Sequence, residues 1–211
     1  MGSEMCIRDS DYTKDRGPAT RGEKITYYSF LGVLLCLFGV EVLINYEPIK
    51  LTIVFFLVAW VPLLFLHELG HAIAARLVGW EVEKFVIGHG KILKKFRFQG
   101  ALVEFRIIPA SGYVLPRSTP QNWSRMKSAF VYFAGPGTEL LLFGVLYLLI
   151  GVGQFSEANG SYLTIMMQGV ALSAVTGAVV NLIPQEVVVD TGRVPNDGLG
   201  IIYSLMGKRT A

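Results

Sequence analysis

Four apolar runs divide the chain, and each is long enough to cross a bilayer as a helix. A helix of about 20 apolar residues matches a hydrocarbon core of about 30 Å. Polar or proline-containing segments separate the runs. The pattern therefore predicts about four transmembrane helices, over residues 25–44, 51–79, 126–151 and 162–183.

The period of the apolar positions changes between the second and third runs, in residues 80–116. KILKKFRF and ALVEFRI alternate apolar and polar residues, and Gln99-Gly100 lies between them. A period of two on either side of a two-residue turn predicts a β-hairpin. The expected fold class is an α-helical polytopic membrane protein with a small β-hairpin or sheet between its second and third transmembrane helices.

Composition supports this class. The chain has 211 residues, of which 52% are hydrophobic and 17% are charged, whereas a soluble domain carries about 25% charged residues. We expect one integral membrane domain over residues 25–205, a disordered or non-native leader over 1–24 and a tail over 206–211. No basic block is dense enough to indicate a nucleic-acid partner.

The second apolar run contains His67-Glu68-Leu69-Gly70-His71, an H-E-x-x-H pattern. Ionisable side chains inside a membrane span are rare and indicate a functional site. Residues four apart share one helix face, so both imidazoles can bind one cation. Glu68 is placed to act as general base on a water at that cation. Two structural histidines with no ligand are the alternative.

The remaining residue types limit the ligands of such a site. Cys6 and Cys36 are the two cysteines, and neither is placed as a disulfide partner or a metal ligand. The third and last histidine is His89, in a glycine-flanked segment that predicts a surface turn. A zinc site would therefore take its third protein ligand from a carboxylate or from His89.

Motifs over about residues 60–205 resemble the site-2 protease family of intramembrane zinc metalloproteases (peptidase family M50). They are FLHELGHAIAARLVGWEVEKFVIGHG, then GYV at 112–114, AGP at 134–136, NLIP at 181–184 and DG at 197–198. The resemblance implies one Zn²⁺ per chain and cleavage of membrane-anchored protein segments. It also implies that residues 80–116 form a membrane-associated, partly re-entrant sheet, with Gly112 and Tyr113 as candidates for contact with the active site or the substrate.

The resemblance further implies that an Asp-Gly after N-x-x-P supplies the third zinc ligand. Asp197 is followed by glycine, whereas Asp190 has the nearer spacing but is followed by Thr-Gly. We assign Asp197 and keep Asp190 as the alternative. Residues 185–194 are then expected to form a looped insertion. Asn181 is expected to hold the substrate backbone or the oxyanion, or else to cap the helix end.

Glu139 stands where the family has asparagine in A-G-P-x-x-N. Counted from the ends of antiparallel spans, Glu139 and Glu68 lie at nearly the same depth. Glu139 could hydrogen-bond a zinc ligand, share a proton with Glu68, bind the metal itself, or have only a structural role.

An exposed edge of the predicted sheet could hold a substrate in extended form by strand addition. The alternative is that the hairpin only shields the polar site from lipid. No PDZ-like insertion is present, so substrate selection would need a regulatory membrane partner or the bilayer itself.

Lysine and arginine placement predicts the orientation. The leader carries five, residues 76–127 carry ten and residues after 183 carry three, whereas the two opposite loops carry one. Both termini and the active-site opening are therefore expected on the cytoplasmic side of a bacterial-type cell membrane. Functions of other classes remain as alternatives: a membrane metal transporter, or a non-catalytic scaffold with the same cluster.

Overall fold

The structure is a computed structural model that describes residues 21–117, 123–151, 153–155, 161–189 and 192–207. The predictions for residues 1–20, for residues 208–211 and for Asp190 lie outside the described residues. The chain divides into two compact units, residues 1–47 and 48–211. The described part of the first unit contains helix α1, Arg21–Ile44, which covers the first predicted span.

Three helices form the centre of the second unit. They are α2 (Leu51–Leu77, after a short 3₁₀ turn at Pro48–Lys50), α3 (Arg125–Ile150) and α4 (Tyr162–Leu182). Among the described residues these three helices are long and apolar enough to cross a membrane, whereas α1 offers the shorter apolar stretch Gly32–Ile44. The predicted mostly helical protein with candidate membrane spans is confirmed; the described residues contain three such spans, and the expected count of four is not confirmed.

Small residues let these helices approach closely. A Cβ atom added at Gly70 of α2 would lie 2.6 Å from the carbonyl oxygen of Ala134 on α3. One added at Gly169 of α4 would lie 2.7 Å from the carbonyl oxygen of Thr52 on α2. Close backbone contact replaces the hydrophobic driving force that helices lack in lipid. α2 therefore packs closely against α3 at the H-E-x-x-H pattern and against α4 near its own first turn.

The predicted hairpin is present as β1 (Glu81–Phe98) and β2 (Ala101–Arg117). Phe98 pairs with Ala101 across a two-residue turn, in which Gln99 has φ 48° and Gly100 has φ 85°. Positive φ at both positions is the type I′ geometry that matches strand twist. The turn is where the sequence pattern predicts it.

The inner half of β1 has partners on both sides. Residues 84–87 lie between two segments of β2. They pair with residues 102–105 and also with residues 112–115 of β2. β1 bends at Gly88, which has φ 89°. A side chain would not fit there, because a Cβ atom at Gly88 would lie 2.8 Å from the carbonyl oxygen of Ile108. Residues 112–117 have strand partners on one side, so within the described residues they form an edge of the sheet.

After α4 the chain forms a second, smaller hairpin, β3 (Glu186–Val189) and β4 (Gly192–Pro195), in which Val187 pairs with Val194. The looped insertion expected over residues 185–194 is thus a short antiparallel ribbon. β-Branched valines favour the extended backbone, but EVVV and GRVP do not alternate apolar and polar residues, so no period of two predicts these strands.

The last helix, α5 (Asp197–Leu205), packs against α3. The hydroxyl groups of Ser204 and Ser128 lie 2.7 Å apart and are buried. A Cβ atom at Gly200 would lie 2.4 Å from the ring of Tyr132, so the helices touch along this face. This packing brings the first residue of α5, Asp197, to the side of α3 that faces α2.

Candidate metal centre

The H-E-x-x-H residues lie on α2, and all three ionisable side chains are buried. His67 and Glu68 are each 5% exposed and His71 is 8% exposed. The two imidazoles point the same way because four residues make slightly more than one helical turn. Their Nε2 atoms are 3.1 Å apart.

Each imidazole is oriented by a hydrogen bond from its other nitrogen. His71 Nδ1 lies 2.7 Å from the carbonyl oxygen of Val131, and His67 Nδ1 lies 3.0 Å from Oε2 of Glu139. A carbonyl or a carboxylate oxygen can only accept, so each Nδ1 carries the hydrogen and donates it. In the neutral rings, both Nε2 atoms therefore present lone pairs to the same point.

Asp197, the first residue of α5, is the third member of this group. Its Oδ2 lies 3.0 Å from His67 Nε2, and its Oδ1 lies 3.2 Å from His71 Nε2. The ligand atoms of the three residues all lie within 4.8 Å of one another. Electron pairs that converge in a buried site need a cation or protons between them. Two imidazole nitrogens and one carboxylate form a donor set that suits zinc and leaves a fourth position open.

Two glycines make room for this arrangement. A Cβ atom at Gly135 would lie 2.3 Å from His71 Nε2 and 2.7 Å from His67 Nε2, so the α3 backbone passes directly beside the imidazoles. A Cβ atom at Gly177 of α4 would lie 2.6 Å from Oε1 of Glu139. Both positions have to be glycine for the cluster to keep this geometry.

The edge of β2 lies beside Glu68. A Cβ atom at Gly112 would lie 2.8 Å from Oε1 of Glu68, whereas the hydroxyl group of Tyr113 accepts a hydrogen bond from Lys84 Nζ at 3.1 Å. The two residues singled out in the sequence thus have different contacts. Gly112 contacts the candidate base, and Tyr113 contacts a lysine.

A cavity of about 670 Å³ opens onto the cluster. Its wall includes the H-E-x-x-H side chains, Asp197, residues 110–116 of β2, and Val187 and Val194 of the second hairpin. Asn181 also lines it, and its Nδ2 donates a hydrogen bond to the carbonyl oxygen of Gly177 at 3.0 Å. His89 is exposed in β1, paired with Ile108, and is not part of the metal-binding cluster.

Several residues that shape the site carry little or no signal in the sequence. The carbonyl oxygen of Val131 carries no residue-type signal at all. Gly135 belongs to the quoted AGP motif, but its contact with the imidazoles depends on how α3 packs. Asn196, which precedes Asp197, is buried and was not singled out. An asparagine directly before an apolar segment is an N-cap signal, and this signal could have found it.

These features define a helical membrane protein with a buried His-His-Asp cluster fit to hold a metal ion. The chain belongs to Peptidase family M50, whose family model matches residues 55–196. This result confirms the resemblance to the site-2 protease family.

Curated relatives carry names of the same kind. The chain is 37% identical over 103 residues to "Putative zinc metalloprotease Cj1068" of Campylobacter jejuni. The aligned region covers 42% of this chain and 28% of that protein. It is 36% identical over 138 residues to "Putative zinc metalloprotease" of Chlamydia trachomatis (51% and 22% covered). It is 42% identical over 57 residues to "Membrane metalloprotease ARASP, chloroplastic" of Arabidopsis thaliana (26% and 13% covered). The matches thus span less than a third of these relatives.

Proposed function

We propose that this chain is the catalytic core of an intramembrane zinc endopeptidase that cuts membrane-anchored protein segments. The observation that carries the proposal is the convergence of two Nε2 lone pairs and the Asp197 carboxylate on one buried point, with Glu68 beside it. Family membership and the relatives' names support the same activity.

His67, His71 and Asp197 would hold one zinc ion per chain. Glu139 keeps the His67 ring in the tautomer that offers Nε2, and the Val131 carbonyl does the same for His71. Such outer hydrogen bonds fix the orientation and the basicity of metal-bound histidines. Zinc held by these residues would supply a Lewis acid, which can polarise a carbonyl group and lower the pKa of a water molecule.

Glu68 acts as the proton carrier. Its carboxylate accepts a proton from the attacking water as the water oxygen bonds to the peptide carbonyl carbon. The same proton then passes from Glu68 to the peptide nitrogen as the carbon–nitrogen bond breaks, which leaves a carboxylic acid and an amine. Burial of Glu68 beside Gly112 limits access to molecules that enter the cavity.

The substrate is held in extended form along the free edge of β2. Helical peptide bonds are shielded by their own hydrogen bonds, so a segment has to unwind before cleavage. Among the residues that the structure describes, residues 112–117 have strand partners on one side, and they start next to Glu68. Strand addition there would bring a substrate carbonyl close to the cluster. Asn181 lines the same cavity and is a candidate to bind the substrate backbone or the developing oxyanion.

Glu68 lies nine residues before the end of α2, which is about 14 Å along the helix axis. We place this end, both termini and the β1–β2 hairpin on the cytoplasmic side of a bacterial-type cell membrane, because the lysines and arginines cluster there. α1 then serves as the fourth span. A regulatory membrane partner or the bilayer itself would select among substrates.

The test is cleavage of a membrane-anchored reporter peptide by the purified protein in lipid nanodiscs. We expect zinc-dependent cleavage, and loss of at least 100-fold in rate for Glu68→Gln with zinc still bound. Undiminished cleavage by Glu68→Gln would remove Glu68 from its role. Zinc flux into liposomes without cleavage would favour a metal transporter, and zinc binding with neither flux nor cleavage would favour a scaffold.

A further inference from the structure

We propose that Asn196 is the positioning residue for Asp197. Its hydrogen bonds make the position of this candidate metal ligand independent of the β3–β4 insertion that precedes it. The inference rests on the proposed role of Asp197 as a zinc ligand. Asn196 precedes α5 and is 7% exposed. It lies next to the candidate ligand, and its side chain forms hydrogen bonds with the chain segments that lead into the metal cluster.

All four hydrogen-bonding positions of the Asn196 side chain are used. Oδ1 accepts from the backbone N–H of Leu199 at 3.2 Å and of Gln185 at 3.0 Å. Nδ2 donates to the carbonyl oxygens of Asn181 at 2.9 Å and of Ile183 at 2.7 Å. Two acceptor positions and two donor hydrogens are the full capacity of an asparagine amide. The partners also fix which atom is oxygen and which is nitrogen, because both amide N–H groups lie on one side and both carbonyls on the other.

These bonds connect three parts of the fold. Leu199 is in the first turn of α5, so that bond is a helix N-cap. Asn181 and Ile183 are at the end of α4. Gln185 is the residue before β3, and its carbonyl oxygen also accepts from the backbone N–H of Asn196 at 2.9 Å. Gln185 and Asn196 are therefore bonded in both directions.

The two hydrogen bonds between Gln185 and Asn196 close the base of the insertion. The chain leaves α4, runs through β3 and β4, and returns to the point from which it left. The length and sequence of the hairpin then have little effect on the position of Asp197 at the start of α5. This explains how an aspartate 13 residues beyond Pro184 can reach histidines on α2.

A second contact holds the start of α5 in the same place. A Cβ atom at Gly198 would lie 2.1 Å from the carbonyl oxygen of Leu182, so the backbone on the far side of Asp197 is pressed against the end of α4. With Asn196 fixed on one side and Gly198 on the other, the Asp197 carboxylate has little freedom to move from the imidazoles.

The first test separates positioning from simple helix capping. Asn196→Ser keeps an oxygen that can cap Leu199 but is too short to reach the α4 carbonyls. The control is Ser161→Ala, which removes the cap of α4, where Ser161 Oγ accepts from the N–H of Thr164 at 3.2 Å, far from the cluster in sequence. Zinc affinity is measured by chelator competition on metal-depleted protein, and ligand geometry by the absorption spectrum of the Co²⁺-loaded form.

We expect Asn196→Ser to weaken zinc binding about 10- to 100-fold and to change the Co²⁺ spectrum, whereas Ser161→Ala changes neither. Wild-type affinity and spectrum in Asn196→Ser would overturn the positioning role while leaving the proposed function standing. Wild-type protein that binds neither metal would overturn both.

The second test does not depend on an Asn196 variant that folds. Residues 187–194 are replaced by Asn-Gly, which joins Glu186 to Pro195 by a two-residue turn of the kind that closes hairpins. Because Gln185 and Asn196 remain, we expect zinc affinity within about threefold of wild type, since the ligand shell is untouched. A loss of 10-fold or more would show that the hairpin itself positions Asp197, and the inference would be wrong.

Discussion

Glu139 on α3 accepts a hydrogen bond from Nδ1 of His67 on α2 across 3.0 Å, although 72 residues separate them in the chain. The carboxylate and the candidate metal-binding nitrogen are thus on opposite sides of one imidazole. This contact ties the packing of two candidate membrane helices to the orientation of a candidate ligand. It also gives a role to the glutamate that stands where the family pattern has asparagine.

Loss of this contact should weaken metal binding without preventing it. We expect Glu139→Ala to reduce zinc affinity about 10- to 100-fold, because His67 loses the acceptor that fixes its tautomer. Glu139→Gln keeps an oxygen acceptor and should lose less. Isothermal titration of metal-depleted protein in detergent measures both. Equal affinities in wild type and Glu139→Ala would mean that His67 does not need this acceptor.

Gly135 should tolerate no side chain. Its Cβ position is 2.3 Å from His71 Nε2, so Gly135→Ala must displace an imidazole or separate α2 from α3. We expect zinc affinity to fall at least 100-fold. Gly144→Ala on the same helix is the matched control, since nothing lies within 4 Å of its added Cβ atom. If both variants bound zinc like the wild type, this result would contradict the close contact between the α3 backbone and the imidazoles.

Gly112 should affect catalysis rather than metal binding. A Cβ atom there meets Oε1 of Glu68 and the carbonyl oxygen of Val86, each at 2.8 Å, but no zinc-ligand atom is among its closest contacts. We expect Gly112→Ala to lower kcat about 10- to 100-fold through displacement of the base or the sheet edge. Zinc content should stay at the wild-type level. Reduced zinc with normal kcat per bound zinc would contradict this division of roles.

Glu104 should make the sheet sensitive to acid. Hydrogen bonds from Arg106, at 2.8 Å, and from Lys84 hold the pKa of the Glu104 carboxyl below its ordinary value of 4.5, although burial acts in the opposite direction. A lowered folded pKa means that the ionised form stabilises the fold above pH 4.5 and that this stability is lost as the pH falls through the lowered value.

Glu104→Gln should therefore lower the free energy of unfolding by about 1–3 kcal/mol at pH 7. The difference from wild type should shrink below about pH 4.5. Thermal unfolding in detergent at a series of pH values measures it. A difference that is the same at pH 7 and pH 4 would show that the charge of Glu104 is not what stabilises the sheet.

The helices and the two histidines of the site can be predicted from the sequence, because those features depend on residues close together in the chain. The spacing of His67 and His71 fixes a shared helix face, and alternation around Gln99-Gly100 predicts the first hairpin. Span length allowed Glu139 to be placed at the depth of Glu68, which is why a contact with a histidine was among the expectations.

The other half depends on contacts between distant segments. Asp197 was reached through the family resemblance, since spacing alone left Asp190 open. The roles of Val131 and Gly135 come from the path of the α3 backbone, and backbone atoms leave no residue-type signal. The Asn196 bonds depend on how α4, β3 and α5 meet, which no local period records. The strands of the β3–β4 hairpin do not alternate apolar and polar residues, so no period of two predicts them.

The most direct measurement is the zinc content of the purified chain and of two aspartate variants after metal loading. We expect one zinc per chain in the wild type and in Asp190→Ala, and none in Asp197→Ala, each measured by elemental analysis on protein that remains monodisperse in detergent. A wild-type protein that holds no transition metal under any loading condition would contradict the metal centre. Loss of zinc in Asp190→Ala with retention in Asp197→Ala would contradict the ligand set.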